Sequence, residues 1–338
     1  MPEERLFSDF WHLAAHRSEL AQAGDFLKLS LLGQDLVLAN DNGSILAFDN
    51  ICPHRGARIV GADCGRAPLT CPYHGWTYAG GKFRIPGREQ FDPAVLEQVR
   101  YRTYETAWCG DFVFVSPAPR QSLEQQLGGI APLIENIGAC IARRHDFHHF
   151  QFDCDWKVAI ENALEPYHID LIHRATLGKM RLPAPRTEYH GINSVAFFEV
   201  AEARTKASLE RIGRYFDLPF QHAGYFALYL FPFAMISSTY GYSYSMQHFV
   251  PAPQEKTNFY TRVLAARLKD EGGRDLEASL LASTVEMNRK VFQEDHEICQ
   301  RVARVFPADT GMIYGSAEQQ IVHFHRSYLE AMGMATPA

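Results

Sequence analysis

The sequence predicts an α+β protein in which a small all-β unit precedes a larger domain made of an antiparallel sheet and helices. Three observations indicate this fold class. Apolar residues alternate with a period of two between about residues 25 and 117, and strand-like patterning returns between about 185 and 265. A single apolar stripe with helical spacing then runs from about residue 276 to 306. Helices that are segregated from strands favour an α+β domain over alternating βαβ units.

The apolar pattern divides the chain into four predicted segments: a helical lead-in at 1–24, the all-β unit at 25–117, a mixed connector at 118–154 and the second domain at 155–338. Phe7, Phe10 and Trp11 lie on one side of the helix expected over residues 3–22. In the β unit, Asn42-Gly43 between two apolar runs predicts a hairpin, since both turn positions need a positive φ. Asp155 is a suitable N-cap for a helix that starts at the next residue.

The composition is that of a folded globular protein. The chain has 338 residues, of which 46% are hydrophobic and 21% are charged. The formal charge of −6 argues against general binding of nucleic acids, and no apolar run is long enough to span a membrane. The first residues lack the pattern of a signal peptide. Seven cysteines, an odd number, favour a reducing compartment, so we expect a cytoplasmic protein.

Two cysteines and two histidines form the first candidate metal site. Cys52 and His54 form a C-x-H motif. After sixteen intervening residues, Cys71 and His74 form a C-x-x-H motif. In a Rieske-type [2Fe–2S] centre, two histidines replace two cysteines on one of the irons. Glycines after each histidine allow the loop backbone to approach the cluster closely. We therefore favour a Rieske cluster, and structural zinc stays open as an alternative because the ligand types overlap.

A second candidate site lies in the stretch from Glu161 to His173. Glu161, Glu165 and His168 share one face of a regular helix. His173 lies about 140° away from His168 on such a helix, so both can bind one ion only if the helix loosens or ends. Pro166 provides the cause, because it removes one backbone donor and is expected to kink the helix.

The long predicted helix supplies a third ligand. Asp295 stands where the apolar stripe demands a hydrophobic residue, and a buried carboxylate implies a metal or a cationic partner. Two histidines and one carboxylate form the facial triad of non-haem Fe(II) oxygenases. A buried ion pair at Asp295, or Asp170 or Glu165 as the ligand instead, stays open. Three neighbouring acids fall off the stripe and are interpreted as solvated surface charges: Glu286, Glu294 and Glu297.

With both sites in view, the chain resembles the catalytic (α) component of Rieske non-haem iron oxygenases over essentially its whole length. The two cluster loops carry the resemblance, together with Asn162-x-x-Glu165-x-x-His168-x4-His173 and Phe292-Gln293-Glu294-Asp295. The resemblance implies a helix-grip catalytic domain. It implies these ligands: Cys52, His54, Cys71 and His74 for the [2Fe–2S] cluster, and His168, His173 and Asp295 for a mononuclear Fe(II).

The resemblance also implies an assembly and an electron route. Family members usually form a ring of three subunits, in which an acidic residue bridges a cluster histidine of one subunit and an iron-bound histidine of the next. On this chain the bridge would run from His74 through Glu165 to His168. Electrons from NAD(P)H would arrive through a separate flavin reductase or a ferredoxin, since the sequence has no Gly-rich dinucleotide motif.

The expected reaction is the use of O2 to hydroxylate or demethylate a small organic substrate, aromatic or a quaternary amine. Glu165, where many members of the family have Asp, Asn162 three residues earlier and a short catalytic domain resemble the monooxygenase branches of the family, and this resemblance favours monooxygenation over cis-dihydroxylation of aromatic rings. Asn162 is either close to the iron or a hydrogen bonder on the helix face. Aromatic residues between Phe226 and Tyr244 either line a pocket or, as we favour, pack the sheet. A Rieske electron carrier and a zinc-stabilised binding module stay open as other classes.

Overall fold

Two seven-stranded antiparallel sheets and a small three-stranded one form the frame of the protein. The structure is a computed structural model, and it describes residues 4–31, 34–303, 305–306 and 311–334. The first sheet has the strand order β1-β10-β9-β4-β3-β2-β5, and the small sheet has the order β6-β7-β8. Their strands are β1 (His12–His16), β2 (Asp25–Leu31), β3 (Gln34–Asp41), β4 (Ser44–Asp49), β5 (Cys64–Arg66), β6 (Leu69–Thr70), β7 (Thr77–Ala79), β8 (Lys82–Arg84), β9 (Thr103–Cys109) and β10 (Phe112–Ser116).

The second large sheet has the order β11-β17-β16-β15-β14-β13-β12, with every neighbouring pair antiparallel. Its long central strands are a succession of hairpins, which agrees with the strand pattern predicted between about 185 and 265. The strands are β11 (Ile141–Phe152), β12 (Arg186–His190), β13 (Asn193–Phe198), β14 (Tyr225–Leu230), β15 (Ala234–Thr239), β16 (Ser243–Ala252) and β17 (Lys256–Ala266).

Helices cover both faces of this second sheet. The α-helices of the whole described chain are α1 (Glu4–Ser8), α2 (Pro93–Leu96), α3 (Leu123–Leu127), α4 (Ala131–Cys140), α5 (Trp156–Leu164), α6 (Ile169–Ile172), α7 (Ala203–Ile212), α8 (Arg274–Cys299) and α9 (Gln319–Met332). On one face α5, α8 and α9 enclose a core with Phe249 and Phe259, and on the other α4 packs against Leu228 and Ile236. Among the described residues, no helix combines the length and the apolar character needed to cross a membrane.

Several predicted elements are confirmed. The β3–β4 hairpin turns at Asn42 and Gly43, which have φ values of 54° and 99° as such a turn requires. Helix α5 begins after Asp155, whose carboxylate accepts the main-chain N–H of Lys157. The long helix is present as α8, although it ends at Cys299 and not near residue 306.

The N-terminal segment and the connector differ from the prediction. The helix expected over residues 3–22 is wrong: Glu4–Ser8 is α-helical and Arg17–Leu20 forms a short 3-10 helix, but His12–His16 between them is strand β1, while residues 1–3 lie outside the described part. All five residues of β1 are buried between the layers, so tertiary burial overrides the helical pattern. Residues 141–152, placed in the connector, form the edge strand β11. Its polar, half-exposed side chains conceal the strand periodicity.

A buried polar network joins the N-terminal segment to the second sheet. The fully buried guanidinium of Arg262, on β17, donates to Glu19 at 3.1 Å and to the carbonyl of Ala14 at 2.9 Å. Arg144 donates to the other carboxylate oxygen of Glu19 at 3.0 Å. Burial opposes ionisation of Glu19, but the two arginines outweigh it and hold the pKa of Glu19 below its usual value. The two parts of the chain are therefore held together by a fully buried ion pair between Arg262 and Glu19, which the partly exposed Arg144 reinforces.

Candidate metal centres and the adjoining cavity

The two loops of the first candidate site have the same backbone conformation. In each loop the glycine N–H donates to the carbonyl of the cysteine four residues earlier, at 2.9 Å for Gly56 to Cys52 and 3.0 Å for Gly75 to Cys71. Both glycines adopt positive φ values, 72° and 70°, which only glycine reaches without strain. The C-x-H and C-x-x-H segments therefore form two equivalent turns that face each other.

The side chains of these loops converge. The rings of His54 and His74 lie 4.6 Å apart between centroids, and the thiols of Cys52 and Cys71 are buried in contact with each other. Burial raises the pKa of the Cys52 thiol, and the neighbouring Cys71 adds to that, whereas the main-chain N–H of His54 lowers it. Trp76 stacks on the His54 ring at 4.7 Å.

One atom of this site shows that it fits a metal cluster. The Nδ1 atom of His54 is buried and has no hydrogen-bond partner among the described residues. A buried imidazole nitrogen without a partner is costly unless it binds a ligand. Two buried thiols and two imidazoles on paired loops are the ligand set of a Rieske [2Fe–2S] centre.

The second site forms where helix α5 is interrupted. Glu165 adopts an extended conformation, with φ −122° and ψ 142°, because a residue before proline is excluded from the helical region. The chain then makes the single turn α6, which His168 and His173 flank. The expected kink is thus a complete break. Glu161, Glu165 and His168 do not share a helix face, and Glu161 accepts a hydrogen bond from His325 of α9 instead.

The break brings the three predicted ligands together. The Nε2 atoms of His168 and His173 are 3.2 Å apart, and the Oδ1 atom of Asp295 lies 3.6 Å from the first and 3.0 Å from the second. A facial arrangement with bonds of about 2.1 Å places neighbouring ligand atoms about 3 Å apart. These three residues form a possible metal-ligand group in the described part of the chain. Asp170, the alternative ligand, is exposed and lies outside it.

Two further carboxylates orient the histidines. Glu165 Oε1 accepts from His168 Nδ1 at 2.6 Å, and Glu294 Oε2 accepts from His173 Nδ1 at 2.7 Å. Each Nδ1 therefore carries the proton, and each Nε2 lone pair faces the candidate metal position. Burial lowers the pKa of His173, but the carboxylates of Asp295 and Glu294 outweigh this and raise it. A cation between these groups would satisfy the same carboxylates.

Glu294 is a site residue that the sequence analysis missed. Its interpretation as a solvated surface charge is wrong, since its carboxylate also accepts from the Thr176 hydroxyl at 2.8 Å. Its position next to Asp295 was the one available signal. Asn162 is better placed than expected: its Nδ2 donates to Asp295 Oδ1 at 2.8 Å, so it fixes the carboxylate that would bind the ion.

Two neighbouring cavities lie on this side of the second sheet, and the inner one adjoins the three ligands. The inner one, about 80 Å³, is lined by the ligands and by Phe198 and Ala227, and the outer one has a volume of about 310 Å³. Five residues line both cavities: Leu177, Tyr225, Gln247, Val291 and Phe292. Most aromatic residues between Phe226 and Tyr244 are buried in the cores, so the interpretation that they pack the sheet fits the structure better.

Comparison with known families agrees with this geometry. Residues 141–334 match the family described as ring hydroxylating alpha subunit (catalytic domain), and residues 10–98 match the Rieske [2Fe-2S] domain. The chain belongs to the ring-hydroxylating alpha-subunit family. The predicted family and fold class, a Rieske domain followed by an α+β catalytic domain, are thereby confirmed.

Relatives of this alpha subunit include characterised monooxygenases. It is 32% identical over 190 residues to the carnitine monooxygenase oxygenase subunit of Escherichia coli (strain K12), a match that covers 51% of this chain and 48% of that protein. The chain thus spans about half the length of the carnitine monooxygenase proteins that it matches. It is 25% identical to the chloroplastic choline monooxygenase of Arabidopsis thaliana, over 95% of this chain and 77% of that protein.

Solved structures share the fold of the alpha subunit along nearly its whole length. A quaternary ammonium Rieske monooxygenase in complex with an inhibitor superposes with a TM-score of 0.79. The match covers 98% of this chain and 91% of that chain, at 19% identity. This likeness establishes the common architecture, and the chemistry has to be argued from the residues of this chain.

Proposed function

We propose that the chain is the terminal oxygenase component of a multicomponent enzyme that hydroxylates or oxidatively demethylates a small organic substrate by monooxygenation. The observation that carries the proposal is the convergence of His168, His173 and Asp295 beside a cavity, in a chain that also has a Rieske domain. A pure electron carrier would not need this second site. The monooxygenases among the relatives support monooxygenation over cis-dihydroxylation.

The cofactors fit the residues that are present. Cys52, His54, Cys71 and His74 would hold the [2Fe–2S] cluster, and the facial triad would hold Fe(II). When bound, the iron supplies a redox-active Lewis acid that activates O2, and the cluster supplies it with single electrons. The chain's own contribution is orientation. Glu165 and Glu294 fix the tautomers of the two histidines, and Asn162 holds Asp295 in place.

The proposed electron donor is a separate NAD(P)H-dependent flavin reductase, alone or with a ferredoxin. The described strands pair antiparallel throughout the three sheets, whereas dinucleotide-binding folds use parallel strands. The proposed location is the cytoplasm. None of the seven cysteines, all of which lie in the described part of the chain, forms a disulfide, which supports a reducing compartment.

The proposed assembly is a ring of three copies in which Glu165 connects the cluster of one copy to the iron site of the next. Large apolar side chains are exposed beside both sites. Ile51 and Tyr73 flank the cluster loops, and Tyr167 and Leu171 flank the iron site. A head-to-tail contact would cover both pairs at once, and repeated rotation of such a contact closes a ring.

Replacing Asp295 tests the proposed function. The Asp295→Ala variant should lose substrate-dependent O2 consumption, and its iron content should fall from about three to about two atoms per chain, because only the triad loses a ligand. The visible absorption of the cluster should not change. Glu297→Ala, an exposed acid on the same helix, is the matched control. Full activity of the Asp295→Ala variant would contradict the proposal.

A further inference from the structure

The outer cavity beside the iron site carries information about the substrate. This inference rests on the proposed function, since it takes this cavity as the place where the substrate binds. Its volume of about 310 Å³ is at the lower end of the range for small-molecule sites, about 300–1,000 Å³. One wall is the inward face of strands β14 to β16, and helix α8 forms the opposite wall.

The pleat of these strands decides which residues form the wall. Ser237 on β15 pairs with Ser245 on β16, and Met235 pairs with Gln247, so alternate residues of both strands face the cavity. The residues between them, such as Ile236 and Met246, are buried in the opposite core. A strand face that could have been apolar therefore carries hydroxyl and amide groups towards the cavity.

The polar groups of the wall are mostly neutral, and the single charged residue is basic. Lys179 is that residue, it is also exposed to solvent, and none of the residues that line the outer cavity is acidic. The ammonium group of Lys179 has no ion-pair partner within the described ranges of the chain. The neutral polar residues are Thr176, Thr205, Tyr225, Ser237, Ser238, Thr239, Tyr242, Ser243, Ser245, Gln247, Thr284 and Asn288.

Hydrogen-bonded side chains from the strand wall and from helix α8 offer donors to a ligand. Ser245 Oγ accepts from Gln247 Nε2 and from Asn288 Nδ2, both at 3.2 Å. Because both partners donate, the hydroxyl proton of Ser245 is available for an acceptor in the cavity. Asn288 has a second N–H, whereas Gln247 uses its other N–H on Ser237 at 3.3 Å. The wall is thus suited to a ligand that brings oxygen acceptors.

A quaternary ammonium group needs different surroundings. Such a cation is bound by the faces of several aromatic rings or by carboxylates. The three rings in the outer wall are tied into other contacts. Tyr242 donates to the carbonyl of Leu209 at 2.8 Å and stacks on Phe216, and Phe292 packs edge-on against the core ring of Phe259. Tyr225, the third, lies beside Ser237.

We propose that this cavity binds a small molecule that carries a carboxylate and no quaternary ammonium group. Lys179 supplies the counter-charge, and Ser245 and Asn288 donate hydrogen bonds to the oxygen atoms of the ligand. The carbon that is oxidised lies towards the inner cavity and the triad. The substrate class therefore differs from the one named for the quaternary ammonium monooxygenase with the same fold.

A pair of ligands of the same shape tests the charge preference. Gamma-butyrobetaine is compared with the carboxylic acid in which a tert-butyl group replaces its trimethylammonium group. Titration calorimetry on the fully loaded protein should show that the tert-butyl acid binds at least about tenfold more tightly, since the described residues around the outer cavity offer no carboxylate, and the carboxylates of the inner cavity, Glu165 and Asp295, are engaged with His168 and with the metal position. Equal or tighter binding of gamma-butyrobetaine would overturn the proposal.

The role of Lys179 needs a second comparison. Lys179→Met should weaken binding of the tert-butyl acid about tenfold, the usual effect of losing a hydrogen bond to a charged group. It should leave binding of the methyl ester of that acid unchanged. Lys206→Met is the matched control, because Lys206 is exposed on α7 and does not line the cavity. An equal loss for acid and ester, or an equal effect of the control variant, would contradict the assignment.

The Asp295→Ala variant separates this inference from the proposed function. If that variant still binds the tert-butyl acid in preference to gamma-butyrobetaine, the cavity assignment holds even where oxygenase activity is not found in the unmodified protein. Because both ligands carry the carboxylate, Lys179→Met should weaken the binding of both and leave the preference between them unchanged, and a lost preference in that variant would contradict the pairing of Lys179 with the carboxylate.

Discussion

At the residue scale, Glu294 is the side chain whose importance only the structure reveals. It accepts hydrogen bonds from His173 and Thr176, and so fixes the ring of a proposed iron ligand. Glu294→Gln should reduce iron affinity and turnover by about 10–100-fold, as loss of such outer partners does. Iron analysis and O2 consumption measure this. Glu286→Gln, an exposed acid on α8 paired with Lys290, should behave as wild type, and an equal loss there would contradict the role.

The residues that the sequence identified are those with a chemical signature in the chain itself. The cysteine and histidine loops have a recognisable spacing, and Asp295 breaks an apolar stripe. Glu294 and Lys179 have no such signature. Their roles depend on which side chain of another element lies opposite them, and that is decided by packing alone.

At the scale of elements, the break between α5 and α6 positions both histidines. Pro166→Ala should let α5 continue past Glu165, because the steric exclusion from helical φ and ψ is removed. His168 and His173 would then point apart, so we expect loss of the mononuclear iron and of activity, with the cluster absorption retained. Pro183→Ala, an exposed loop proline, is the control. A fully iron-loaded, active Pro166→Ala protein would show that the break has another cause.

Elements with a clean local pattern were predicted well, and edge or buried strands were not. The β3–β4 hairpin follows from two turn residues, and α8 follows from its apolar stripe. Strand β1 is buried along its whole length, so it lacks alternation. Strand β11 is polar because one side of it is exposed. Both strands pair with a strand that is about a hundred residues away in the sequence, so the local sequence does not encode the pairing.

At the scale of the whole molecule, acid should loosen the contact between the two parts of the chain. His248 donates from Nε2 to the carbonyl of Leu13, and burial lowers its pKa to about 3; burial likewise lowers the pKa of His12 to about 4. A histidine held neutral stabilises the fold fully above its unfolded pKa of 6.5, and this stability is lost as the pH falls towards the folded pKa.

The measurement is the free energy of unfolding between pH 7.5 and 5. Each of the two histidines should reduce it by about 1.4 kcal/mol per pH unit below 6.5. His248→Gln keeps a donor and an acceptor but does not titrate, so its pH dependence should be shallower by one such contribution. An identical slope for the variant and the unmodified protein would exclude His248 as a source.

The proposed ring makes a separate prediction about whole subunits. Copies carrying His74→Ala, which lack a cluster ligand, are co-expressed with copies carrying Asp295→Ala under two different affinity tags. Doubly tagged assemblies should recover part of the activity, because an intact cluster can then face an intact iron site across an interface. Mixing Asp295→Ala with His173→Ala is the control and should stay inactive. No recovery in the first mixture would exclude electron transfer between neighbours.

The buried contact among Glu19, Arg144 and Arg262 has a consequence for how electrons travel. It is reinforced by a shared apolar core in which Leu27 and Leu36 of the first sheet meet Val250 and Tyr260 of the second. The N-terminal domain is therefore packed rigidly against the second domain and is not free to move relative to it. In the proposed oxygenase, the distance that an electron crosses would be set when the chain folds and assembles, and the rate of electron delivery would then depend on docking of the donor.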